Sequence, residues 1–485
     1  MIRDIKDSPL YKIVNPKSVA FFGASNRFTS MGSNQLNSLI SLGFEGKIYP
    51  VHPKETEVQG LEAYQSVLDL PEIPDVAVMV LPTGVVPGVL EECGQKGIKG
   101  AVIVSGGFKE IDRDGARLEE KIVETANSFG MRFLGPNCIG VANPHHKYNT
   151  TFLPFVGRPG FIGMASQSGS FITQMFDYLA EFDLSFSSGI SVGNEANIDI
   201  VEAMEYLAAC PHTRVIALYI ESIRRGRAFV RAARKIIPHK PIVALYVGGS
   251  EAGKRASFSH TGALAGPDKL YDGVFHQSGV IRADTITELF DFCWVLGTSR
   301  PPGGNRVVVQ THSGGPGATA ADACSRAGLD LPTFSELTLK KLEAYVPHTG
   351  SANNPVDLTF TKNPLEYFDN IPRILLEEPA ADMLMVYFMA PKENIKRAMT
   401  SMGVAEDQIP VLRDKLFNDQ ARAMAELRDK SAKPIVGFSF HSRTNPMLQK
   451  LQDYRIPALP SPERAARAMA ALVEYAGIRQ EIIES

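Results

Sequence analysis

The chain has 485 residues, with 50 Lys and Arg against 53 Asp and Glu, a net charge of −3, 44% hydrophobic residues and 21% charged residues. That balance is ordinary for a globular protein and gives no overall charge bias towards nucleic acid or an anionic membrane, and at roughly 150 residues per domain the length predicts about three domains. Five scattered cysteines (Cys93, Cys138, Cys210, Cys293, Cys324) form no CxxC pair or disulfide framework, and the apolar runs are strand-length. The expectation is a soluble cytoplasmic protein with no signal peptide and no membrane partner.

From residue 17 onward, short β-rich apolar runs alternate with segments of helical periodicity. Runs at 18–22, 47–51, 75–81, 100–104 and 131–134 read as strands, and 33–42, 85–96 and 115–129 read as helices. Such alternation with wholly apolar strands predicts a parallel sheet covered on both faces. A second unit opens at 161–165, continues through strands at 214–220 and 241–247, and closes with a helix ending near Leu296. Residues 300–305 (RPPGGN) read as a linker. A third unit opens at 306–310 and ends in a helix from Pro462 to about Tyr475. The predicted domains are 1–148, 149–299 and 300–485. The second and third open alike, a strand running into SQSG at 166–169 or THSGG at 311–315 and then into a helix, so both are expected to be flavodoxin-like. Residues 392–427 look like an insertion without a motif.

The first loop, Gly23, Ala24 and Ser25, leaves a buried strand and leads into a helix. Small residues there admit a phosphate to the backbone, and the helix start supplies N–H groups. The loop is not GxGxxG, so a nicotinamide cofactor is disfavoured. Three further strand ends share the same edge of a parallel sheet: Val51, Pro53 and Lys54; Leu81 and Pro82; and Asn137. Ligands of such sheets sit across that edge. In the second unit Gln167, Ser168 and Gly169 precede a helix and offer its amino end to an anion, with Gly193 and Asn194 as a similar loop.

His260 lies among small residues (SHTGALAG, 259–266), with Thr261 and Gly262 leaving room for a phosphoryl group. A neutral imidazole is a competent nucleophile toward phosphorus, yet chemistry alone leaves a structural role for His260 equally open. Glu221 ends a predicted strand where a carboxylate can fix a histidine tautomer. His145 and His146 have no partner at ligand spacing, and no metal site is expected.

In combination and in this order, residues 19–25, GGFKE at 106–110, GPNC at 135–138, SQSG at 166–169, Gly193-Asn194, YIE at 219–221, SHTG at 259–262, GGPG at 314–317 and NPVD at 354–357 resemble the ADP-forming acyl-CoA (acetyl-CoA) synthetases, relatives of the succinyl-CoA synthetase alpha subunit. The resemblance implies a Rossmann-like coenzyme A domain followed by two succinyl-CoA-synthetase-type domains. It implies that His260 is phosphorylated, that Glu221 orients it, and that the loops of the first domain bind CoA. The implied reaction joins a small carboxylic acid to CoA at the expense of a nucleoside triphosphate, through acyl phosphate and phosphohistidine. It also implies a grasp-type domain holding Mg-ADP or Mg-ATP. Three α/β units already fill this chain, so that domain is expected on a separate beta-type subunit within a heterotetramer. The sequence departs from the family pattern at Glu195-Ala-Asn197, where Lys-Ala-Asp is common, at Tyr246, where lysine is usual, and at Thr311-His312. A CoA-sensing regulatory protein of the same fold is the competing reading.

Overall fold

The first five apolar runs become strands buried on both faces, which is why they carry Val, Ala, Phe and Met without polar alternation. The structure, a computed structural model, describes residues 4–253, 255, 266–361, 365–389 and 391–484. Strands β1 (Ser18–Phe22) and β2 (Lys47–Val51) are followed by a two-stranded ribbon, β3 (Glu57–Val58) and β4 (Leu61–Glu62). Strands β5 (Val76–Met79), β6 (Gly100–Ile103) and β7 (Arg132–Leu134) complete a parallel sheet of order β2-β1-β5-β6-β7.

The second sheet contains β8 (Val141–Asn143), β9 (Tyr148–Asn149), β10 (Ile162–Ser166), β11 (Phe186–Ser191), β12 (Val215–Ile220), β13 (Ile242–Tyr246) and β14 (Ile281–Ala283). Its order is β14-β13-β12-β10-β11-β8-β9, parallel except for the β8–β9 edge. The third sheet, β15 (Val307–Thr311), β16 (Val356–Asp357), β17 (Met383–Tyr387), β18 (Ile435–Phe438) and β19 (Ala458–Leu459), is ordered β16-β15-β17-β18-β19. Counting parallel strands within each sheet, all three follow the flavodoxin-like order 2-1-3-4-5. Each therefore has a topological switch point between its first and third strands, where ligands of such folds bind.

The chain divides into two compact units, Met1–Asp284 and Thr285–Ser485. The first holds two of the sheets. The helix Ile286–Thr298, expected to close the second domain, lies in the second unit, where it packs on the terminal helix Pro462–Glu484. There Asp291 accepts two hydrogen bonds from Arg464, both 2.7 Å. The insertion expected at 392–427 is instead part of the third sheet's crossover from β17 to β18. It forms helices Lys392–Ser401 and Ile409–Lys430, and the latter buries Phe417, Ala421 and Met424 in the core of its unit. Among the described residues no helix is long and apolar enough to cross a membrane, and the five cysteines are all buried and free.

Candidate active site

Parallel pairing brings the ends of β2, β1, β5, β6 and β7 to one edge. At its switch point Gly23 adopts φ +89°, and a Cβ there would lie 1.9 Å from the Val80 carbonyl oxygen. Only glycine lets β1 turn so tightly against β5. Ser33, in the helix Met31–Ser41, holds the loop from above: its Oγ accepts the Ser25 N–H at 3.0 Å and donates to the Ser25 carbonyl at 3.0 Å. The Ser25 amide is therefore already engaged within the loop. The ribbon tip closes over the same loop, Gln59 Nε2 donating to the carbonyls of Ser25 and Ser33. Nothing in the residue pattern signalled this latch. Next door, His52 Nδ1 accepts the amides of Lys54 (3.3 Å) and Glu55 (2.9 Å), which shapes the turn carrying Pro53 and leaves Lys54 exposed.

A cavity of about 340 Å³ opens beside these loops, lined by Met31, Leu81, Ser105, Asn137, Cys138 and Ile139 and, from the second sheet's first helix, by Gly169 and Ser170. Gly169 permits that approach, because a Cβ there would come within 3.0 Å of Ile139. Leu81, Asn137 and Gly169 are thus brought to one place, while Gly23, Ala24, Ser25, Val51, Pro53, Lys54 and Pro82 follow the same strand ends without lining this cavity. Cys138 is no nucleophile here, since burial pushes its thiol up to about 12.

The second sheet has its switch point between β10 and β12, and there Gln167 meets Glu221. Gln167 Oε1 accepts the N–H of Glu221 at 2.6 Å and that of Ser222 at 2.9 Å, while its Nε2 donates to the Ser222 carbonyl at 2.8 Å. Both side chains are buried. Ser168 caps the helix Gly169–Ala180, and its amide donates to Ser166 Oγ at 3.1 Å. The same turn recurs in the third sheet, where the Ser313 amide donates to Thr311 Oγ1 at 3.2 Å, so the two units share more than an order of elements. In that turn burial lowers the His312 pKa to about 4, leaving a neutral ring stacked on Tyr367.

His260, Thr261 and Gly262 lie outside the described residues. The chain on either side of them is anchored beside Glu221. Tyr246 ends β13, stacks on Tyr271 at 3.6 Å and donates its hydroxyl hydrogen to the Gly266 carbonyl at 2.8 Å. Tyr271 Oη in turn accepts the Ile223 amide at 3.2 Å. The tyrosine at 246 therefore has a structural task of its own.

Gly193 and Asn194 pack against the first domain. Gly193 has φ +55°, and a Cβ there would lie 2.3 Å from the Pro136 carbonyl oxygen. The Asn194 side chain is spent on protein partners: Nδ2 donates to Glu110 Oε2 (2.6 Å) and Glu119 Oε2 (2.9 Å), and Oδ1 accepts from Asn137 at 3.3 Å. Its carbonyl accepts from Lys109 (2.6 Å) and Arg224 (2.7 Å). This network of Lys109, Glu110, Glu119 and Arg224 joins the cavity's rim to the Glu221 loop, and sequence reasoning missed it. Glu119 offered one signal, a carboxylate on the inward face of an amphipathic helix.

Three families match the chain in succession: a CoA binding domain over residues 17–144, a succinyl-CoA ligase like flavodoxin domain over 159–296 and a ligase-CoA domain over 307–406. With three sheets of one strand order and an open crevice at the first switch point, they define an α/β acid–thiol ligase of the succinyl-CoA synthetase type. The ADP-forming acetate–CoA ligase II subunit alpha of Pyrococcus furiosus is 38% identical over 463 residues, 95% of this chain and 97% of that protein. The ADP-forming acetate–CoA ligase of Methanocaldococcus jannaschii is 40% identical over 353 residues, 73% of this chain but 49% of that longer protein. The structure of the Ca. Korarchaeum cryptofilum dinucleotide forming acetyl-coenzyme A synthetase 1 with phosphate and ADP matches with a TM-score of 0.84 at 33% identity, covering 98% of each chain. The chain belongs to the ADP-forming acyl-CoA synthetases, as an alpha-type chain of a ligase rather than a regulatory relative.

Proposed function

We propose that this chain supplies the coenzyme A site and the phosphohistidine of an ADP-forming acyl-CoA synthetase, and that a separate grasp-type subunit supplies the Mg-nucleotide. The observation that carries this reading is Glu221, buried at the second switch point, locked by Gln167, and flanked by the two anchored ends of the segment bearing His260. In the direction of synthesis, a phosphoryl group passes from ATP to the His260 imidazole, releasing ADP. The acid's carboxylate oxygen then attacks that phosphorus, breaking the P–N bond and forming acyl phosphate. The CoA thiolate finally attacks the acyl carbon, forming the thioester and expelling phosphate. Glu221 accepts the hydrogen of one imidazole nitrogen and leaves the other free to attack. The positive end of the helix Gly169–Ala180, which follows Gln167 and Ser168, favours the phosphoryl group's negative charge.

CoA runs along the loops at Gly23 to Ser25, Val51 to Lys54, Leu81 to Pro82 and Asn137, its thiol end directed to the cavity. No charged side chain is among the cavity's lining residues, which suits a monocarboxylic acid. The domains are 1–148, 149–299 and 300–485, and the setting is the cytoplasm. Hydrogen exchange tests the CoA assignment: on adding CoA, protection should concentrate at the four loops, and protection confined to residues beyond 300 would contradict it. Purified alone, the chain should make no acyl-CoA from acid, CoA and ATP until the grasp-type subunit is added. Robust synthesis without that subunit would refute the division of labour.

A further inference from the structure

Glu195 enters the sequence as a departure from the family pattern, and the structure puts it in an unusual position. It follows β11 with φ +52°, a left-handed conformation that non-glycine residues adopt rarely and at a cost of about 1 kcal/mol or more. Its carboxylate is nonetheless held in place, 6% exposed, with Oε1 accepting the Ile200 amide at 2.8 Å and Oε2 lying 3.9 Å from Arg224 Nε. Arg224 also donates to the carbonyls of Glu195 (3.0 Å) and Asn194 (2.7 Å). Gln167 also lies close enough to favour the charged form of the Glu195 carboxylate, while Asp199 disfavours it. Gln167 is the residue whose carbonyl oxygen holds the amides of Glu221 and Ser222.

We propose that Glu195 is a positioning residue of the phosphoryl-transfer centre, acting through Arg224 on the loop that follows Glu221. This rests on the reading of Glu221 and His260 as that centre. Arg224 lies three residues past Glu221, so the ionised carboxylate and the carbonyls of Asn194 and Glu195 together hold the guanidinium that fastens the Glu221 loop. Losing the negative charge removes the ion pair with Arg224 and weakens the acceptor for the Ile200 amide. Burial pushes the Glu195 carboxyl up to about 7, opposed by Arg224 and the Ile200 amide and reinforced by Asp199. Lys109 and Tyr271 also face it. The fastening therefore weakens as pH falls through neutrality.

The test is the pH dependence of kcat in the complete enzyme, chain plus nucleotide-binding subunit. Parent enzyme should show an acid limb near pH 7. Glu195→Gln keeps the shape but cannot ionise, so it should lower kcat about 10-fold at pH 8, the lower end for lost positioning partners, and leave KM for CoA unchanged. Its profile should lack the acid limb. Glu195→Asp should recover part of kcat and keep a limb. Arg224→Gln removes the opposing cation and should move the limb to higher pH, a readout that survives if Glu195→Gln fails to fold. Limbs that stay fixed in both Glu195→Gln and Arg224→Gln, or an unchanged kcat in Glu195→Gln, would overturn the proposal. Labelling of His260→Ala with radioactive phosphate separates the two readings. Lost label together with an unaffected Glu195→Gln defeats only the role of Glu195, whereas retained label defeats the centre itself.

Discussion

Gln167 shows how one side chain organises this site. A carboxamide has an acceptor and two donors, and here the acceptor takes two consecutive amides while a donor returns to the carbonyl of the second residue, Ser222. A hydroxyl or an ionised carboxylate has no geometry for that exchange. The two residues lie 54 positions apart, yet SQSG and the strand-ending Glu221 were legible because each sits at the carboxyl end of an apolar run. Glu195, Lys109, Glu119 and Arg224 were not legible as a set. Charged residues of this kind are usually solvated, and the burial of Glu195 and Glu119 arises only when residues far apart in sequence are packed together. Their burial also has a measurable consequence. Because the Glu195 carboxyl is raised to about 7 by burial, the folded chain holds a proton between about pH 4.5 and 7 that the unfolded chain has released. Stability from this group is complete below about 4.5 and falls as pH rises through 7, by a few kcal/mol in order of magnitude. Urea midpoints at pH 5 and pH 8 should show the parent losing ground to Glu195→Gln at the higher pH. A difference that does not change with pH would rule this out.

At the scale of elements, the strands legible as apolar runs are placed to within a residue or two because both faces are buried, whereas β8, β9, β11, β14 and β16 to β19 are not marked by the sequence reading. Helices were harder. The terminal helix Pro462–Glu484 continues nine residues past the point where its apolar periodicity fades, through Arg479, Gln480 and Glu481. The helix Ile409–Lys430 was mistaken for insertion because its surface is charged on most sides. Its buried residues form a narrow stripe, with Phe417, Ala421, Met424, Ala425 and Leu427 in the core of its unit. That stripe makes a firm prediction. Phe417→Ala should cost about 3–5 kcal/mol of stability in the second compact unit, as for other large-to-small core changes, measured by denaturant unfolding. A tolerated insertion would lose less than about 1 kcal/mol at the same position.

In the whole molecule, one strand order is used three times, and the switch points do different work. The first carries a glycine turn and an uncharged cavity; the second joins Gln167 to Glu221; the third holds a neutral His312 against Tyr367. The Asn137–Asn194 contact and its charged neighbours bind the first two into a single unit, so the cavity's rim and the Glu221 loop share residues. Three α/β units were legible from alternation alone. That two of them form one compact unit was not, because the residues that join them are polar and lie in loops. The central claim is that His260 carries the phosphoryl group with Glu221 behind it. Its most direct test supplies radioactive phosphate and acyl-CoA to the complete enzyme without nucleotide, then measures acid-labile, base-stable label on this chain. The account predicts stoichiometric label in the parent, less in Glu221→Gln with CoA binding retained, and none in His260→Ala. Stoichiometric acid-labile label in His260→Ala would contradict it.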